Sequence, residues 1–429
     1  MNDFLTEDTK AIILLCGVFG KDRTAKPLSL TEYSALVNWL VGASLRPSDL
    51  LLHENVGDAS KGSGLDRQRL EVLLGRGVQL GFAVEEWQRN GIWIISRSDE
   101  DYPKRLKNHL GKSAPPLLFG VGQRKLLVGG GLAIVGSRNV DEVGESFTCQ
   151  AAELCAQNRM PVVSGGARGV DQISMTAALE AGGVTIGLLA ENLFKKSVER
   201  KNRQAIADGR LLLLSPYHPN ARFTVGTAMA RNKLIYAMAD YGLVVSAEHK
   251  KGGTWAGAQE ELKRDNSLPV FVRIGSDTPQ GNSKLVDLGA IPWPDSIERD
   301  SFSQQLNDLA VNSKQRQPKK NLSILDFQAT QKAVSKKEDL PEKEPEKDKA
   351  KIVRPEVTFS EHPSSVYHAV LPFILSRLDT PTTADELANT LEVNKTQLNV
   401  WLKKAVEEKK IRKLSKPVRY QKTGSGMQV

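Results

Sequence analysis

The chain has 429 residues, 40% hydrophobic and 25% charged, which is ordinary for a globular protein and excludes neither an enzyme nor a binding protein. At about 100 to 200 residues per domain it is too long for a single typical domain and implies two to four. A formal net charge of +9 fits a polyanionic partner such as nucleic acid, and equally an acidic surface or simple solubility.

Residues 1–112 read as an N-terminal helical module. An apolar run at residues 11–19 follows acidic residues and is far shorter than the roughly 20 apolar residues a bilayer span requires, so neither an export signal nor a membrane anchor is expected. Ser29 or Thr31 is placed to cap a helix through Leu36, Val37, Leu40 and Val41, and "DRQRLEVLLGRGVQLGFAVEEWQRNG" is a second helical run. Cys16, Cys149 and Cys155 form no Cys-x-x-Cys pair, which points to buried thiols in a reducing, cytoplasmic compartment. The six histidines show no metal-ligand spacing, so neither a metal nor another cofactor is expected.

From residue 113 to 311, short apolar runs ("LAIVGS", "MPVVSGG", "VTIGLLA", "RLLLLSPY", "YGLVVSAE", "LPVFVRIG") alternate with amphipathic stretches. Strands that are apolar throughout, separated by helices, predict a doubly wound α/β domain with a parallel sheet covered on both faces. Residues 312–360, including "KKEDLPEKEPEKDKAK", hold almost no large apolar residues and read as a disordered charged linker. Residues 361–429 read as three helices and a hairpin, a winged helix-turn-helix pattern, with Thr383 and Glu386 in capping-box register and Asn394 as a further cap. Lys395, Thr396, Asn399 and Lys403 share one face of its third helix, suited to a DNA groove or to plain solvation.

Ligands of a doubly wound sheet sit beyond the carboxyl ends of the strands. Three loops fall there: Gly136-Ser137-Arg138, then Ser164-Gly165-Gly166-Ala167-Arg168-Gly169, then Gly252-Gly253-Thr254. Bare glycine loops opening helices suit an anion such as phosphate, and Arg138 and Arg168 add bidentate donors; the plainer alternative is that the glycines only permit tight turns. Arg222, Arg231, Asn232 and Lys233 form a further basic cluster, with Tyr217, Phe223 and Trp255 as candidates for stacking on a base. Gly111-Lys112-Ser113 does not complete a Walker A loop, because Leu106 stands where glycine is required.

In order and spacing, "DEDYPKRLKN", "PPLLFGVG", "LAIVGSRNVDEVGES", "VVSGGARGVDQISMTAALEAGGVTIGLL", "LLSPYHPNARF", "ARNKLIYAMADYGLVVSAE" and "GGTWAGAQEEL" resemble the DprA/Smf family of DNA-processing proteins, over roughly residues 90–275. The resemblance implies a SAM-like N-terminal module and a Rossmann-like core that binds single-stranded DNA, forms homodimers and helps load the RecA recombinase in natural transformation, with no covalent chemistry and no membrane partner. It further implies that Arg138, the loop Ser164 to Gly169, Arg231 and Lys233 line the DNA pocket. The chain departs from the family pattern at Gly166, where leucine is usual, at Lys233, where arginine is usual, and in having Gly-Gly-Thr-Trp for Ser-Gly-Ser-Leu.

The competing class is a nucleotide-binding or nucleotide-hydrolysing protein of the same fold group. "KGGTWAGAQEE" partly resembles the PGGxGTxxE motif of LOG-type phosphoribohydrolases, with Glu260 or Glu261 as the carboxylate. Nucleotide-sensing domains of bacterial defence systems belong to the same alternative.

Overall fold

The computed structural model describes residues 5–19, 25–316, 371, 374–390, 395–414 and 418–423. The chain divides into two compact units, Met1–Leu322 and Ser323–Val429.

The first unit opens with helices α1 (Glu7–Cys16), α2 (Leu30–Gly42), α3 (His53–Ser63), α4 (Arg67–Leu74) and α5 (Gly77–Arg89). Ser29 caps α2 in a full capping box: its hydroxyl accepts from the Glu32 N–H at 3.3 Å, and the Glu32 carboxylate accepts from the Ser29 N–H at 2.7 Å. Arg69 also donates to both oxygens of Glu32, and these bonds hold its carboxyl down at about 2. The long run over residues 66–91 is two helices. The chain breaks at Gly75 and Arg76, where the buried Arg76 guanidinium donates to the carbonyls of Leu14 and Gly17 and lies 4.3 Å from the Phe19 ring centroid.

The sheet comprises β1 (Trp93–Ser96), β2 (Leu117–Val121), β3 (Leu132–Val135), β4 (Val162–Ser164), β5 (Thr185–Leu188), β6 (Leu211–Ser215), β7 (Tyr241–Val244), β8 (Val270–Val272) and β9 (Ile291–Pro292). Their order is β1-β2-β6-β5-β4-β3-β7-β8-β9. From β6 to β9 every pairing is parallel; β2 joins β6, and β1 joins β2, antiparallel. The sheet therefore begins at Trp93, within the stretch read as the helical module. A four-residue edge strand is too short for its alternation to register, and its place comes from pairing with β2.

Helices α6 (Lys104–Leu110), α7 (Glu142–Gln157), α8 (Val170–Glu180), α9 (Leu193–Val198), α10 (Arg200–Ala207), α11 (Val225–Ala237), α12 (Gly252–Leu262), α13 (Gln280–Asp287) and α14 (Phe302–Arg316) complete the unit. Strand alternation sorts the core. Leu132 and Ile134 face α7, α8 and α14, whereas Ala133 and Val135 share a second core with α6, α11, α12 and α13. The N-terminal helices build a third core against the β1-β2-β6 end, where Trp87 meets Phe119 edge to face at 5.2 Å between centroids. Helix α14 runs past residue 311, where the linker reading starts; residues 317–360 lie outside the described ones.

In the second unit, helices Ala384–Thr390 and Lys395–Glu407 and an antiparallel hairpin, Ile411–Leu414 with Arg419–Lys422, enclose Leu387, Leu398, Leu402 and Tyr420. The Thr383 box is present: the Glu386 N–H donates to the Thr383 hydroxyl at 3.3 Å and the Thr383 N–H to the Glu386 carboxylate at 2.9 Å. Most of the stretch read as its first helix lies outside the described residues, as does the Asn394 cap.

Candidate nucleic-acid interface

Strand β3 lies between β4 and β7, and the chain winds outward from it in both directions, so the carboxyl ends of β3 and β7 mark the switch point of the sheet. The three glycine loops meet there and are bonded to one another. Val170 N–H donates to the Ser137 carbonyl at 3.2 Å, the Thr254 hydroxyl to the Gly136 carbonyl at 2.9 Å, and the Asn232 amide to the Gly253 carbonyl at 3.1 Å. Gly169 has φ of +85°, and a Cβ on it would lie 2.3 Å from the Ser137 oxygen, so only glycine lets these loops touch. Ser164 is fully buried and donates to the Ile134 carbonyl at 2.7 Å, tying the end of β4 to β3.

Arg231, on α11, lies beneath the second loop. It is 4% exposed, and its Nη1 is 3.5 Å from the carboxylate of Asp171, itself 7% exposed on the first turn of α8. Burial drives the guanidinium below and the carboxyl above their usual ranges, and each charge opposes the shift of the other. Among the described residues, Nε and Nη1 of Arg231 have no hydrogen-bond partner. A Cβ on Gly165 would fall 1.2 Å from that Nη1, so the glycine makes room for the arginine.

Two hollows flank the loops. An open groove of about 700 Å³ is lined by Arg138, Gly166, Arg168, Lys196, Phe223 and others, including Arg231. A neighbouring chamber of about 440 Å³ is lined by Gly136, Arg138, Phe223, Arg231, Tyr236, Gly252 and other residues of the same loops. Arg138, exposed, lies over the ring of Phe223, itself 40% exposed, at 5.1 Å, and this pair borders both hollows. Arg168 donates to the Asn139 side chain at 2.9 Å, steadying the loop after β3. A larger hollow of about 890 Å³, beside α1, α5 and β1, contains none of the glycine loops.

The structure thus brings together Gly136, Ser137, Arg138, Gly165, Gly166, Arg168, Phe223, Arg231, Asn232, Gly252, Gly253 and Thr254. Ser164 and Gly169 support them from behind. Lys233 lines neither hollow; its ammonium pairs with Glu260 at 3.0 Å. Trp255 is 5% exposed and packs edge-on against His249, while the half-buried Tyr217 donates to the Thr227 carbonyl at 3.2 Å. Glu260 is also held by Arg264 at 3.1 Å, and the buried Glu261 bonds His109 at 2.9 Å and the Leu268 N–H at 3.0 Å; neither glutamate lines either hollow. Sequence reasoning missed Asp171, Tyr236 and Lys196. The aspartate follows the glycine loop directly, but nothing in the sequence ties it to an arginine on α11.

Residues 93–300, the span from β1 to just beyond β9, match the model of the DNA recombination-mediator protein A family. The DNA processing protein DprA of Bacillus subtilis is 31% identical over 211 residues, which cover 48% of this chain and 69% of that protein. DprA of Streptococcus pneumoniae is 30% identical over 196 residues, covering 45% and 67% respectively. The X-ray structure of the Streptococcus pneumoniae protein overlays with a TM-score of 0.55 and 22% identity, across 70% of this chain and 98% of that one, a likeness in fold. Among the described residues, no helix is long and apolar enough to cross a membrane, and no group of three or more His, Cys, Asp or Glu side chains is placed to hold a metal. Relatives matched over two thirds of their length, on the strands and glycine loops that build this site, make the chain a member of the DprA/Smf family of DNA-processing proteins.

Proposed function

We propose that the chain binds single-stranded DNA along the groove beside Arg138 and acts in DNA processing and recombination. The observation that carries this is the Arg138 guanidinium over the half-exposed Phe223 ring at the switch point. That pair offers a phosphate donor and a stacking face within one nucleotide's reach, the combination that single strands use. Arg168 and Lys196 continue the positive lining, and the glycine loops supply backbone N–H groups to phosphate.

The protein on this reading is a binder and not a hydrolase, because Glu260 and Glu261 are spent on Lys233, Arg264 and His109. It works in the cytoplasm as a homodimer and hands its strand to the RecA recombinase, and the C-terminal unit is an accessory winged helix that meets DNA or a protein partner. Family membership supports these assignments.

The test is a binding competition between a labelled single strand and duplex DNA of the same sequence. Single strand should win in the wild type. Phe223→Ala should weaken single-strand binding by about 1–3 kcal/mol for each base stacked there. Preference for duplex, or a Phe223→Ala variant equal to wild type, would contradict the reading.

A further inference from the structure

The chamber behind the Arg138–Phe223 pair differs in kind from the groove in front of it. The groove is open and basic, whereas the chamber has apolar walls formed by Val135, Val225, Ala228 and Met229. Polar groups that the fold leaves unsatisfied belong to it. The Tyr236 hydroxyl, on a residue 2% exposed, has no hydrogen-bond partner among the described residues, nor do Nε and Nη1 of Arg231. A buried hydroxyl without a partner costs about 1–3 kcal/mol, so two such groups lining one cavity mark a place where a ligand completes the bonding. The chamber also receives the first residues of the eleven-residue helix α12, which has no side-chain cap and so presents free N–H groups to an anion.

An apolar wall, a cation and a helix N-terminus together suit a ring attached to a phosphate. Resting on the nucleic-acid reading above, we propose that this chamber is a discrete site for one nucleotide, with its phosphate at the α12 N-terminus and its sugar or base against the α11 wall within reach of Tyr236 and Arg231. A free mononucleotide and a nucleotide everted from a bound strand share this chemistry. At about 440 Å³ the chamber is of the size that holds one small ligand.

Two variants of the full chain isolate the chamber. Tyr236→Phe deletes only the unpartnered hydroxyl and should leave the fold as stable or more so, while Ala228→Trp fills the chamber from α11. Each is titrated with thymidine 5′-monophosphate by calorimetry and with labelled hexathymidylate by anisotropy. The proposal expects the monophosphate to bind wild type one to one, to lose about two- to tenfold in affinity in Tyr236→Phe, the worth of one net hydrogen bond, and to fail to bind Ala228→Trp. Failure of the monophosphate to bind wild type, with hexathymidylate weakened in both variants, assigns the chamber to a nucleotide of the strand. Both ligands indifferent to both variants overturns the chamber as a site while the groove reading stands. Monophosphate binding without hexathymidylate binding keeps the chamber and overturns the strand reading, and wild type that binds neither overturns both.

Discussion

A methyl group at Gly165 would sit 1.2 Å from Arg231 Nη1 and 2.5 Å from Asp171 Oδ2, inside both partners of the buried ion pair. The three residues therefore form one unit in which none is replaceable alone. Asp171→Asn leaves a buried arginine without its counter-charge and should lower the unfolding free energy by about 3–5 kcal/mol, read by urea denaturation. Gly165→Ala should cost about 2 kcal/mol or more by expelling the guanidinium, and a stability equal to wild type would show that the pair tolerates displacement. The sequence exposed half of this unit. "SGGARGVD" displays the glycines and the aspartate in order, but the arginine lies on α11, and pairing across that distance leaves no local pattern. Trp255 shows the reverse failure: an aromatic beside a glycine pair looks available for stacking, yet its helical register turns it into the core.

At the scale of elements, what can be read locally was legible. The box at Ser29 and Glu32, the box at Thr383 and Glu386, and the parallel strands with the glycine loops at their carboxyl ends all follow from patterns a few residues long. The antiparallel edge formed by β1 and β2 was not legible, because its placement depends on pairing with β6, which is remote in sequence. That edge also receives the N-terminal helices through Trp87, which meets Phe119 and the His218 ring, the latter at 6.0 Å. Burial holds the His218 imidazole below its usual range, and its Nδ1 accepts the Asn220 N–H at 3.1 Å, so the folded chain favours the neutral ring. The unfolded chain takes up this proton near pH 6.5, before the folded one does. Stability should therefore fall as pH drops from about 6.5 toward the lowered folded value and level off below it, and His218→Phe should remove that part of the slope in thermal melts at stepped pH.

Across the whole molecule, a basic chain has gathered Arg138, Arg168 and Lys196 around one groove at the switch point of a sheet whose two faces are both covered. The second unit carries its own small core, and its helix Lys395–Glu407 presents exposed Asn399 and Lys403 opposite buried Leu398 and Leu402. If that face enters a groove of DNA, Asn399→Ala with Lys403→Ala should weaken binding and make its salt dependence shallower; unchanged affinity and slope would assign the face to solvent or to a protein partner. The central claim is that a single strand lies against Arg138 and Arg168. Anisotropy of a labelled oligothymidylate over a salt series, comparing wild type with Arg138→Ala/Arg168→Ala, tests it most directly. Salt-sensitive wild-type binding, with the slope of log affinity against log salt reduced by about 0.7 for each phosphate contact removed, is the expected result. Equal slopes and affinities in the two proteins would contradict it.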